Sequence, residues 1–147
     1  MLFVFLIMKP TLDSTYLKMA ALMAENSKAI RKKVGAVLVT PYGVILPGYN
    51  GTVTGLDNIC EIEVDGKLVS KPEVIHAELN CILKAAKEGI SIVDSTVYVT
   101  LSPCMTCSSM IAQSGIKRVV YNEVYRDHTG ILFLKNAGII VDQQEII

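Results

Sequence analysis

The sequence predicts an α/β domain: a sheet covered by helices, with parallel β-α-β crossovers in its second half. Three observations carry that reading. Apolar residues near the N-terminus recur at helical intervals. A β-branched run is followed by turn residues and a second apolar run. From about residue 74 onward, helical and strand patterns alternate. The 147 residues suffice for one domain with a buried core. No internal repeat, low-complexity tract or linker divides them.

The elements follow in order. Residues 1–10 are set apart as an apolar stub, and the domain proper is assigned to 11–147. Met1 to Met8 is uncharged, too short to span a bilayer, and without the basic leader or small-residue cleavage site of a signal peptide. It reads either as an extension before a start at Met8-Lys9-Pro10 or as a short added strand. Leu12, Tyr16, Met19, Ala20, Leu22 and Met23 predict a helix from Leu12 to Glu25, closed by Asn26-Ser27. Val34 to Thr40, the turn Pro41-Tyr42-Gly43, and Val44 to Leu46 predict a hairpin. Pro47 should limit its second strand or set it at an edge. Gly51 to Lys71 reads as a long functional loop with room for a minor hairpin around Asp65-Gly66. Then come a helix from about Val74 to Lys87, a strand over Thr96 to Leu101 and a helix from Pro103 to Gln113. A strand from Arg118 to Tyr121, a helix from Thr129 to Asn136 and a closing strand from Ile139 to Val141 complete the chain. Gly89, Gly115 and Gly138 punctuate the helix ends.

Composition narrows the function. Fourteen basic residues balance fourteen acidic ones, so the chain lacks the basic excess that grips long nucleic acid. A single nucleotide stays open, because one phosphate needs only one or two local cations. The four cysteines are too sparse for a secreted disulfide framework, which places the protein in the cytoplasm. Nothing in the sequence calls for a membrane partner.

Two short clusters open adjacent crossover helices: His76-Ala77-Glu78, and Pro103-Cys104-Met105-Thr106-Cys107. Ser102 suits a helix N-cap and Pro103 the first helical position, which would set Cys104 and Cys107 on one helical face. A helix N-terminus favours the thiolate, the form that binds metal. Two thiolates and one imidazole suit Zn2+ and leave a fourth tetrahedral position open. His128, Cys60 and Cys81 are the remaining ligand types, but none is in a ligand-spaced pair, so an open, catalytic site is favoured. His76 and Glu78, two apart, would diverge on a helix flank. They converge only if the site lies off the helix's N-terminal end. There zinc would lower the pKa of a water to about 7, and Glu78 would take the water's proton and pass it to a ring nitrogen and then to a departing amine. This H-x-E…P-C-x-x-C arrangement is the signature of zinc nucleobase deaminases.

His76-Ala77-Glu78-Leu79-Asn80 and the Pro103–Cys107 stretch resemble the cytidine/deoxycytidylate deaminase superfamily. Ser27-Lys28 leading into Val34-Gly35-Ala36-Val37, then Gly48-Tyr49-Asn50-Gly51, and Tyr121 to Asp127 resemble its dCMP deaminase branch. The similarity runs from about Thr11 to Ile140. It implies a three-layer α/β/α fold with a five-stranded mixed sheet, one zinc per subunit, and hydrolysis of dCMP to dUMP and ammonia, supplying dUMP for thymidylate synthesis. It also implies substrate contacts: Asn50 to the sugar, Tyr125 stacked on the pyrimidine, Arg126 at the 5′-phosphate with help from Ser27 and Lys28, and Ala77 and Ser102 as further substrate-binding residues. The family further implies activation by dCTP and inhibition by dTTP, with Mg2+ accompanying the triphosphate. Asn50, Gly51 and Thr52 are the candidates for that site, in a homo-oligomer of six.

Blander readings stand beside these. Lys28, Arg31, Lys32 and Lys33 also fit a solvated loop end, Tyr125 rim packing, and Asn50 turn chemistry. A tRNA adenosine deaminase or a free-base cytosine deaminase on the same core is the nearest rival, and a non-catalytic nucleotide-binding scaffold the next. Neutral charge opposes the first, Arg126 the second, and the complete ligand set with Glu78 the third.

Overall fold

The computed structural model describes residues 11–146, so the reading of the N-terminal stub lies outside the described residues. Helix α1 (Leu12–Ala24) opens on Thr11, whose hydroxyl accepts the Ser14 N–H at 3.2 Å. Strands β1 (Gly35–Val39) and β2 (Ile45–Tyr49) form the expected antiparallel hairpin. β2 runs through Pro47 rather than stopping before it. It is an edge strand, where a residue without an N–H costs no ladder bond.

The minor hairpin forms as β3 (Glu61–Val64) and β4 (Lys67–Ser70), a two-stranded sheet of its own. Its turn needs positive φ at both central residues, supplied by Asp65 (φ 50°) and Gly66 (φ 77°). Helix α2 spans Ala77–Glu88 and begins three residues later than its periodicity predicts. The reason is a bridge: Ile75 and Gly51 exchange backbone hydrogen bonds at 2.9 and 3.0 Å, which holds Ile75 extended. Strand β5 (Thr96–Leu101), α3 (Met105–Gln113), β6 (Arg118–Glu123), α4 (Thr129–Asn136) and β7 (Ile140–Gln143) follow.

The sheet order is β2-β1-β5-β6-β7, antiparallel on its first side and parallel from β5 onward. Alternating side chains build two apolar layers. Val97, Val99, Val119 and Tyr121 pack against α2, Ile111 of α3, and Ile131 and Leu134 of α4. Tyr98 and Val120 point the other way, onto Leu17 of α1. The result is the expected three-layer α/β/α arrangement, a mixed five-stranded sheet flanked by four helices. Asp13 of α1 is tied to the sheet by the Arg118 guanidinium, at 2.8 Å to each carboxylate oxygen, and by the Tyr98 hydroxyl at 2.7 Å. Among the described residues no helix is long and apolar enough to cross a membrane.

Candidate active site

Both motif clusters lie where chain leaves regular structure for a helix. His76 is the N-cap of α2, with extended backbone (φ −70°, ψ 157°), and Glu78 falls in the first turn. Because His76 has not yet entered the helix, its ring and the Glu78 side chain reach the same region off the helix end. Cys104, not Ser102, is the N-cap of α3, so Pro103 lies outside the helix and the two cysteines do not share a helical face. The displaced cap has a cause. The Ser102 hydroxyl accepts the Tyr125 N–H at 2.6 Å, and the Ser102 N–H donates to the Glu123 carbonyl at 2.9 Å, so Ser102 is held to β6 and its following loop at the C-terminal end of the central strand β5.

His76 Nδ1 lies 3.6 Å from the Cys104 sulfur and 3.3 Å from the Cys107 sulfur, and all three donor atoms fall within 4.8 Å of one another. Zinc at about 2.3 Å from sulfur and about 2.05 Å from nitrogen, with tetrahedral angles, requires N–S edges of roughly 3.6 Å. The three residues fit the ion. The protons at the site point the same way. The Cys107 thiol and His76 together hold Cys104 down at about 4, while Cys107, sharing that proton and buried, is pushed far up. His76 is raised, chiefly by its bond to Cys104. A divalent cation bound by these donors would take the place of the protons they carry. Glu78 is 3% exposed, and its burial pushes the carboxyl up.

A cavity of about 210 Å³ opens at this point. His76, Ala77, Glu78, Ser102, Cys104, Asn50 and Tyr125 line it, as the sequence predicts. Asn50 is braced by its own side chain, which accepts from Val34 N–H at 2.8 Å and donates to the Lys32 carbonyl at 2.9 Å. Six predicted residues do not line the cavity, among them Cys107, whose sulfur nevertheless lies 3.3 Å from His76 Nδ1. Ser27 is buried, with its hydroxyl donating to the Asn50 carbonyl at 2.8 Å and accepting from Ala29 N–H at 3.2 Å. Lys28 lies outside the wall, and the Arg126 guanidinium rests 5.9 Å from the Tyr125 ring centre. Gly51 is held in its bridge to Ile75, and Thr52 donates to the Asp57 carbonyl. In their place the structure brings Arg31 and Lys32, with Val34, Ser70 and Leu101, to the wall. The signal for the two cations was the basic run immediately before β1. Ser70 carries no mark in the sequence. Cys81, by contrast, is the buried core thiol expected, pushed up to about 12 by burial.

Residues 10–123 match the family model described as the cytidine and deoxycytidylate deaminase zinc-binding region. The deoxycytidylate deaminase of Saccharomyces cerevisiae is 38% identical over 145 residues, covering 93% of this chain and 46% of that protein, so the chain spans about half that relative's length. The deoxycytidylate deaminase of Enterobacteria phage T4 is 38% identical over 168 residues, covering 87% of each. Among solved structures, the dCMP deaminase of cyanophage S-TIM5 in complex with dCMP and dUMP superposes with a TM-score of 0.85. It is 44% identical and covers 93% of this chain and 99% of that one. With the metal-type triad, the buried carboxylate and the matching model in agreement, the chain belongs to the cytidine and deoxycytidylate deaminase family.

Proposed function

We propose that the protein hydrolyses dCMP to dUMP and ammonia. One observation carries the choice of a nucleotide: the cavity that holds His76, Cys104 and Glu78 is also walled by Arg31 and Lys32. An uncharged nucleobase needs no cation, whereas a 5′-phosphate is well matched by a guanidinium. The names and bound ligands of the relatives support the same substrate.

His76, Cys104 and Cys107 would hold zinc. The chemistry zinc supplies when bound is the lowering of a water's pKa to about 7. Glu78 takes one proton from the attacking water and delivers it to N3 of the pyrimidine as the oxygen bonds to C4. It then takes the remaining proton from that C4 hydroxyl and passes it to the exocyclic nitrogen, so that the C4–N bond breaks, a C4 carbonyl forms and ammonia leaves. Tyr125 stacks on the base and Asn50 meets the sugar. Arg31 meets the phosphate, with Lys32 beside it. Arg126, Ser27 and Lys28 act from outside the wall, Arg126 by supporting the Tyr125 ring. Residues 11–147 act as one catalytic domain, working in the cytoplasm as a homo-oligomer. dCTP with Mg2+ and dTTP regulate it through the turn of Asn50, Gly51 and Thr52.

The test is a panel of dCMP, deoxycytidine, CMP, cytosine, adenosine and dCTP at matched concentrations, with zinc measured in the same preparation. dCMP is expected to be turned over best, by active protein containing one zinc per chain. Equal turnover of deoxycytidine removes the phosphate argument, and active protein without zinc removes the mechanism.

A further inference from the structure

Glu61 is a buried acid for which the chemistry above has no use. It opens β3 and is 6% exposed, although the rest of its hairpin faces solvent. A carboxylate is costly to bury unless hydrogen bonds satisfy it. Here Oε1 accepts the backbone N–H of Ile30 at 2.8 Å and of Arg31 at 3.1 Å. The donors belong to the segment joining α1 to β1, thirty and more residues earlier in the chain.

That segment carries Lys28, Arg31, Lys32 and Lys33. Like charges so close repel, and a run of this kind left to itself would spread into solvent. Arg31 and Lys32 nevertheless face the cavity. The opposite strand completes the clamp. Ser70, paired with Glu61 across β3–β4, also lines the cavity, and its hydroxyl accepts from the Arg31 guanidinium at 3.5 Å. Backbone and side chain of Arg31 are thus both held by one rung of the small hairpin.

We propose that Glu61 is a positioning residue for substrate selection. By fixing the Ile30–Arg31 backbone it aims the Arg31 guanidinium into the cavity, so that the site prefers a 5′-phosphorylated pyrimidine nucleotide over its nucleoside. The inference rests on Arg31 meeting the phosphate of dCMP.

The test is steady-state kinetics on the zinc-loaded, full-length protein with dCMP and deoxycytidine. Wild type, E61A, E61Q, R31A and the E61A/R31A double variant are compared. E61A should raise KM for dCMP about tenfold or more, the size of a lost charge-assisted hydrogen bond. Its kcat should stay within about threefold, and its deoxycytidine kinetics should hold. E61Q keeps an acceptor oxygen in place and should recover most of the loss. In the R31A background E61A should add nothing further to KM, because both act through one group. Equal losses on both substrates, or undiminished additivity with R31A, overturn the proposal. Where E61A does not accumulate as folded protein, E61D, with its carboxylate drawn back, carries the same comparison. If R31A itself leaves the preference for dCMP intact, the phosphate reading is what fails. If R31A abolishes the preference and E61A does not change it, only the role of Glu61 fails.

Discussion

The hydroxyl of Ser102 accepts the backbone N–H of Tyr125 at 2.6 Å, tying the turn that presents the two cysteines to the loop that carries the aromatic wall. Ser102 is 3% exposed, so the bond is shielded from water. Ser102→Ala leaves the Tyr125 N–H without its partner, at a cost of about 1–2 kcal/mol. KM for dCMP should rise about 5–30-fold by the matching free-energy arithmetic. Zinc content, read by mass spectrometry of the metal, should stay at the wild-type level. A loss of zinc in this variant would mean that the hydroxyl supports the ligands rather than the aromatic wall.

Glu78→Gln separates chemistry from metal binding. The substitution keeps the shape of a side chain that is almost wholly buried and removes only its ability to carry a proton. Zinc content and thermal stability should hold, while kcat falls by about 10²–10⁴. Activity within a few-fold of wild type would remove Glu78 from the mechanism.

Gly130 lets the first turn of α4 press against the metal-ligand turn. A Cβ there would come 2.2 Å from the Pro103 carbonyl oxygen and 2.7 Å from the Ser108 hydroxyl. Backbone that close does not yield as the end of a flexible side chain would. Gly130→Ala should therefore cost about 1–3 kcal/mol of stability. Displacement of Cys104 should also weaken zinc retention, measured by competition with a chromogenic chelator. An unchanged melting temperature with unchanged zinc affinity would contradict this placement.

Asp13 sets part of the acid limit of the fold. Its carboxyl is held below the ordinary 3.8, first by its hydrogen bonds from Arg118 and then by the Tyr98 hydroxyl and the Arg118 charge, against an opposing effect of burial. A depressed pKa means that folding favours the carboxylate. The stability it contributes is intact above 3.8 and drains away as pH falls through the lower folded value. Asp13→Asn should lower stability at neutral pH by about 1–3 kcal/mol. It should also flatten the loss of stability below pH about 4, followed by urea unfolding at stepped pH.

Much of the architecture was legible because local and tertiary preferences agree. The alternation after Thr96 predicts both parallel crossovers, and the residue types of the two motifs pick out His76, Cys104 and Cys107, whose donor atoms the fold brings together. The misreadings occur where a distant partner competes for a local signal. Ser102 and Pro103 have the residue types of a helix start, but Tyr125 and Glu123 take the hydrogen-bonding groups of Ser102, and the cap passes to Cys104. Val74 and Ile75 continue the apolar spacing of α2, yet the bridge to Gly51 keeps Ile75 extended. Arg31 and Lys32 read equally well as a solvated run. What holds the Arg31 backbone is Glu61, thirty positions away in a hairpin whose fold gives no hint of that contact, while the Lys32 ammonium pairs with Glu123 at 2.7 Å.

The Gly51–Ile75 bridge also bears on how this domain can vary. Residues 52 to 74 depart from and rejoin the body at a single doorway, one step from Asn50 on one side and His76 on the other. Extra length spliced in at the far tip, around Asp65 and Gly66, would be carried outward without disturbing the metal triad. Changes at the inner rung of Glu61 and Ser70 would instead alter which molecules the pocket accepts.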